Sequence, residues 1–426
     1  MKRILPLLLA LVMIVTLFPA GIAYADDAEE INLRLLVRYS DDDGIPRINY
    51  SLEKLKEEFP NVNLEIVPLA ADGGLQLRTM AATGDMCDIF ELSGDDTIAT
   101  LAKLGAIKDM TEDIKACGYY DEVFPGEYPK MVFTDGNIYT LPFTGSEIGM
   151  LFANTEKFEE FGLEIPRTIP ELIECAKVFS AGGLVTIPIF AKEQWICNAL
   201  YNALVSRYDP RGLDALQEGT ASVRDEAFVK AAQDLEALAA AGAFGSSPTN
   251  MAYENCTELW YNDKSAMFLN GEWEADSTYN NMGDKAIWVP FPAASEETYD
   301  ASLTAAFGGR GAAGGLSVCA WSEHYDLCVK IAARMAELWV EHDYIYRGKA
   351  CFALDITSDM VQEATPCHFM TELSEYRPTI TSTNILSGNG ANQELYTTCG
   401  EGTQSLVAGV MTADEFIESI ALVTGD

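Results

Sequence analysis

The chain has few histidines, few basic residues and, beyond its first residues, no long apolar run. Its three histidines, His324, His342 and His368, make no H-E-x-x-H, which argues against zinc hydrolysis of that kind. No G-x-S-x-G is present, so the nucleophile elbow of a serine hydrolase is missing. C-x-x-C is also absent, although the chain carries ten cysteines at long, irregular spacings from Cys87 to Cys399. A disulfide framework is unnecessary at this size; some pairs and several plain buried thiols are expected, with connectivity open. Lys and Arg total 28 against 65 Asp and Glu, a formal charge of −37. Such a surface makes nucleic acid and anionic membranes poor partners, and it disfavours a small anion as ligand. The acidity is spread along the chain, and its plainer role is solubility. No repeat with a period of 20–50 residues and no low-complexity tract is found.

What is present begins with a leader. Lys2-Arg3 precedes an apolar run from Leu5 to Phe18, Pro19 breaks it, and Ala23-Tyr24-Ala25 is a small-x-small cleavage pattern. Residues 1–25 are therefore read as a signal peptide, too short and wrongly flanked to span a bilayer. Loss of Lys2 and Arg3 with it takes the charge from −37 to −39. The mature chain is expected to be exported, with no membrane insertion. No Cys follows the leader, which argues against a lipid anchor. About 400 remaining residues suggest two or three domains with ample core.

INLRLLVRYS (31–40), VNLEIVPLA (62–70) and CDIFEL (87–92) read as strands, with helices around 52–59 and 74–83 between them. This alternation predicts a largely parallel sheet covered by helices on both faces, with ligands beyond the carboxyl ends of the strands. Loops 39–44 and 92–97 lie there. Asn154 and Thr168 read as helix N-caps, the second with Pro170 and Glu171 in the first turn. Trp260 and Trp339 sit in apolar helical patterns and are read as core. In DKSAMFLNGEW (263–273), Ala-Met-Phe-Leu reads as a buried strand, Asn270-Gly271 as a turn, and Trp273 as a ring on the rim.

TGDMCDIFEL (83–92), LAKLGAIKDMTEDI (101–114), GNIYTLPF…LFANTEKFEEFGLEIPRTIPELI (136–173), DKSAMFLNGEW, the Gly-rich run before LSVCAW, and GVMTADEFIESI (409–420) follow one another in a telling order. Together, over residues 31–420, the chain resembles the extracellular solute-binding proteins of carbohydrate ABC importers, of the maltose-binding type. Cys87 stands where that family usually has Pro, and Ala153 where an aromatic usually precedes the Asn. The resemblance implies an α/β, two-lobed, type II-like periplasmic-binding-protein fold with a ligand cleft between lobes. Lobe one is expected at 26–140 and 292–345, and lobe two at 141–291 and 346–426. Crossings are expected at Leu141-Pro142, at Pro290–Pro292 and near 345. The implied function is capture of a sugar and its delivery to permease subunits by hinge closure, as a monomer with no cofactor, in a periplasmic or extracellular location.

A sugar offers hydroxyls at its edge and C–H faces above and below, and so calls for planar acceptors and aromatic rings. By resemblance Trp273 is a stacking ring, and Tyr396, sixteen residues before Thr412, takes the place of another. Glu147, seven residues before Asn154, and Asp95, seven after Asp88, match sugar-binding carboxylates. Asp41, with Tyr39 beside it, lies beyond the first strand; Trp195 precedes a helix of lobe two. The plainer readings are solvated carboxylates and core-rim rings. Asp41-x-Asp43-Gly44 opens like a calcium loop, but no Glu closes it, so no metal site is assigned. GGRGAAGG (308–315) contains G-x-G-x-x-G, yet a strand-like LSVCAW follows where a nucleotide site needs a helix. Gly309 and Arg310 are read instead as backbone near the ligand or hinge, with Arg310 free to donate to a hydroxyl or to pair with an acid. Two other classes fit the same residues: a secreted glycosidase, which needs two carboxylates at a fixed separation, and the ligand-presenting subunit of a sugar sensor.

Overall fold

The computed structural model describes residues 30–39, 44–70, 74–125, 127–133, 135–145, 147–310, 314–349, 352–385 and 392–426. Its strands are, in chain order, β1 Ile31–Val37, β2 Val62–Pro68, β3 Ile89–Leu92, β4 Leu141–Pro142, β5 Gly149–Asn154, β6 Met267–Gly271, β7 Ala286–Val289, β8 Ala305–Arg310, β9 Gly315–Val318 and β10 Ser382–Ile385.

The first sheet has the order β2-β1-β3-β9-β4. β1 runs parallel to β2 and β3, while β9 is antiparallel to both β3 and β4. β1 is apolar and buried at its carboxyl end, Leu35-Leu36-Val37, where both faces are covered, while Asn32 is exposed and Arg34 half-buried. Leu33, Leu35 and Val37 face a core completed by Ile48, Leu55, Leu316, Val318 and Trp339. Leu36 faces the other way, with Phe90, Leu92, Ile98 and Leu101. The helices Gly44–Glu58 and Tyr325–Arg347 close the first face, and Leu75–Thr83 and Asp95–Lys103 the second.

A second core is built on the antiparallel sheet β6-β5-β7. Every residue of β5 is buried. Met150, Leu151 and Phe152 join Phe268 of β6 and Trp260, Tyr201 and Phe416 from the surrounding helices. Trp260 and Trp339, expected as core, are 0% and 1% exposed. Local signals set the helix starts. Asn154 Oδ1 accepts from the Lys157 amide at 3.3 Å, and Thr168 and Glu171 form a reciprocal capping box at the start of Ile169–Ala181.

Several segments pack differently from expectation. Pro290–Pro292 does not leave the second core: Phe291 is buried in it, and Ala293 pairs with Thr168. β8 stays there too, pairing with β10 and placing Phe307 in the same core. Beyond 345, Phe352 and Leu354 still pack on the first core, and Cys367 is the next residue on the second. Asn270-Gly271 is not a turn. Both residues belong to β6, opposite Met150 and Gly149. Tertiary pairing overrides the local turn propensity. All nine described cysteines are free thiols, eight of them buried.

Candidate functional site

The two cores meet where the chain passes from β4 to β5, and Glu147 lies in that passage. Its backbone is pinned on the second lobe's side. The Glu147 carbonyl accepts from the Gly309 amide at 2.6 Å, and Ile148 bridges to Gly308. Glu272 completes the junction: its amide donates to the Ile148 carbonyl at 3.1 Å, and its carboxylate accepts from the Ile148 amide at 3.2 Å. That carboxylate is nearly buried and ion-paired with Arg377.

The Glu147 side chain is exposed at the junction, and desolvation by neighbouring protein, with Glu272 and Glu91 adding to it and Arg38 and Lys349 opposing it, pushes its pKa up to about 7. Arg38, Glu91 and Lys349 come from the first lobe, just past β1, on β3 and after Tyr325–Arg347; Glu272 comes from the second. The carboxyl ends of β1 and β3 thus face the junction, where ligands of such sheets bind.

Beside the junction is an aromatic corner. Trp273 follows Glu272, and its ring meets Trp195 edge-on, with centroids 5.8 Å apart at 64°. Both rings are half-buried. Trp195, in the first turn of Gln194–Val205, donates its indole N–H to Glu193 at 2.8 Å and packs on Phe190. Tyr396 belongs to the neighbouring helix Gln393–Val407, and its carbonyl accepts from Asn198 at 3.1 Å. Gly400, one turn on, lies against Gln194.

Glu147, Gly309, Trp273 and Trp195 are therefore gathered around one junction, with Tyr396 on the helix packed against that of Trp195. Gly309 has φ +80° and sits against Thr383 and Ile148, so its place there is structural as well as positional. Tyr39 is turned back onto the first core, with its hydroxyl donating to Asn49 at 2.9 Å. Asp41 lies outside the described residues, as do the side chains of Asp95 and Arg310. The backbone of Asp95 opens the helix Asp95–Lys103 and that of Arg310 ends β8. The sequence reading missed Glu272, Arg377, Arg38, Glu91 and Lys349. Only Glu91, at the end of an expected strand, carried a local signal. Two shallow surface depressions, one beside Ile173 and Ala240 and one beside Met251 and Leu259, lie away from this junction.

Among the described residues no helix is long and apolar enough to cross a membrane. The chain is 23% identical over 233 residues to the multiple sugar-binding protein of Streptococcus mutans, a match spanning 52% of this chain and 54% of that protein. In fold it is similar to a protein solved in work on xylan utilization by the thermophilic bacterium Caldanaerobius polysaccharolyticus, at TM-score 0.78 and 21% identity over 92% of this chain and 99% of the other. It is also similar to a chitin oligosaccharide binding protein, at TM-score 0.77 and 17% identity over 93% and 98% of the two chains. These likenesses match the two-lobed architecture. The family model of the bacterial extracellular solute-binding proteins matches residues 44–318, and the chain belongs to that family.

Proposed function

We propose that this protein captures a neutral carbohydrate in the cleft between its lobes and hands it unaltered to the permease of an ABC importer. The observation that carries this reading is the pairing of the Trp195–Trp273 corner with Glu147, a desolvated acceptor that solvent still reaches. Rings receive the C–H faces of a sugar and carboxylates its hydroxyls. The charges gathered at the junction offset one another, Arg38, Lys349 and Arg377 against Glu91, Glu147 and Glu272, which suits an uncharged polar guest. The sugar-related names of the relatives agree. Asp41, Asp95, Arg310 and Tyr396 are proposed as further contacts.

Packing supports lobes made of residues 30–143 with 314–356 and of residues 147–310 with 366–426. Three crossings of this kind suit hinge closure. A glycosidase would also use a carboxyl with raised pKa such as Glu147. Its partner carboxylate would have to be free, whereas Glu272 is committed to Arg377 and the Ile148 amide. Thermal-shift screening across maltotriose, xylotriose, chitotriose and related saccharides tests the reading, since a bound ligand raises apparent stability by mass action. Saturable stabilisation without product supports capture. Turnover overturns it in favour of the enzyme, and no shift with any saccharide removes the carbohydrate reading.

A further inference from the structure

We propose that Gly271 is the seat of Trp273: its missing side chain lets the indole fold back onto strand β6, and this contact sets the angle at which the ring meets the ligand. The inference rests on the carbohydrate reading for its effect on affinity, but the seat itself is a statement about the protein alone.

Two contacts define the ring's position. A Cβ built on Gly271 would lie 2.2 Å from Cη2 and Cζ3 of Trp273 and 2.6 Å from Cε3, so the benzo ring occupies the space a side chain would need. The contact with Trp195, at 5.8 Å between centroids and 64° between planes, restrains the ring laterally. The backbone does not itself require glycine. Gly271 has φ −139° and ψ 179°, extended values open to any residue, and it pairs normally with Gly149. What a larger residue disturbs first is the position of Trp273, because a ring on a rotatable side chain yields before a paired strand does.

One face of the ring is applied to the Gly271 backbone, so a ligand meets the side turned away from β6. Gly271→Ala lifts the ring off the strand, away from Trp195 and out of the orientation that the cleft presents. Gly271 touches no ligand in this scheme; it is a positioning residue acting through Trp273.

The test is a two-by-two set: wild type, Gly271→Ala, Trp273→Ala and the double variant. Acrylamide quenching of tryptophan fluorescence and calorimetric titration with maltotriose, xylotriose and chitotriose are run on all four. Lifting the ring should make more of the emission quenchable in Gly271→Ala than in wild type. In the Trp273→Ala background the same substitution should change nothing. Affinity should fall about three- to tenfold in Gly271→Ala, the range expected for a misdirected stacking ring, and the cycle should show no further loss in the double variant. Unchanged quenching in Gly271→Ala, or an equal loss of affinity with Trp273 already removed, overturns the seat. Altered quenching with no saccharide bound by any of the four proteins leaves the seat standing and overturns the carbohydrate reading.

Discussion

Glu147 allows a numerical test, because its environment fixes both the direction and the window of a pH effect. With a pKa of about 7, raised chiefly by burial, about one-tenth of the free protein carries the ionised form at pH 6 and about nine-tenths at pH 8. If a ligand hydroxyl donates to the carboxylate, the apparent dissociation constant scales inversely with that fraction. Binding should then tighten about ninefold from pH 6 to pH 8. Glu147→Gln keeps the shape and removes the titration, so its affinity should be flat over this range. Stability of the free protein should move the opposite way. A carboxyl whose folded pKa lies above its unfolded value contributes stability that is full below the unfolded pKa and lost as pH rises through the folded one. Between about pH 4.5 and 7 the unliganded wild type should therefore lose stability relative to Glu147→Gln, while its affinity for saccharide grows. Calorimetric titration at pH 6, 7 and 8, with chemical denaturation from about pH 4.5 to 8, reads both trends. A flat wild-type affinity, or the same slope in the Gln variant, would refute the assignment of Glu147 to the ligand.

The other expectations concern single sites. Arg207 is 6% exposed and donates to the carbonyls of Ser302 at 3.2 Å and Ala305 at 2.7 Å, and to Ser206 Oγ at 3.1 Å; Arg207→Met should cost about 3 kcal/mol in urea unfolding, because buried acceptors lose their partner. Asp276, on the second lobe's helix Ala275–Met282, pairs at 3.0 Å with Arg347, the last residue of the first lobe's longest helix. Both side chains are largely buried, and Arg347 keeps Asp343 at 3.8 Å as a second partner, so Asp276→Asn should destabilise by about 2 kcal/mol in the same assay. Thr168→Ala should remove a capping box for about 1 kcal/mol and leave saccharide affinity unchanged. Maleimide labelling in denaturant without reductant should modify at least the nine free cysteines, and protection of any pair would contradict their free state.

Much of the fold is legible in the chain because the forces that set it act over a few residues. The capping box at Thr168 needs only Glu171, three positions on, and Asn154 needs only the Lys157 amide. β1 announces a covered strand through Leu33 and the apolar run Leu35-Leu36-Val37, and Trp260 and Trp339 announce burial through their helical neighbours. The order of such elements was enough to place the chain among two-lobed α/β binding proteins, and Trp273 and Trp195 could be picked out as rings at the edges of their elements.

The junction itself could not be read this way. Glu147 owes its raised pKa to desolvation by the surrounding protein, with Glu272 and Glu91 adding to it and Arg38 and Lys349 opposing it; these four residues come from separate segments, and no local pattern ties them together. Asn270-Gly271 carries the composition of a turn, yet it is strand, because Met150 and Gly149 supply hydrogen-bond partners and Trp273 fills the space above the glycine. Phe291 and Phe307 likewise pack in the second core, which the Pro-rich composition around them did not announce. Most element identities were therefore decided by the sequence, through contacts a turn or a strand in length, and Asn270-Gly271 was not. The cleft, its charge balance and the angle of its rings depend on which distant segments the chain crossings bring within a few ångströms, and only the tertiary structure decides that.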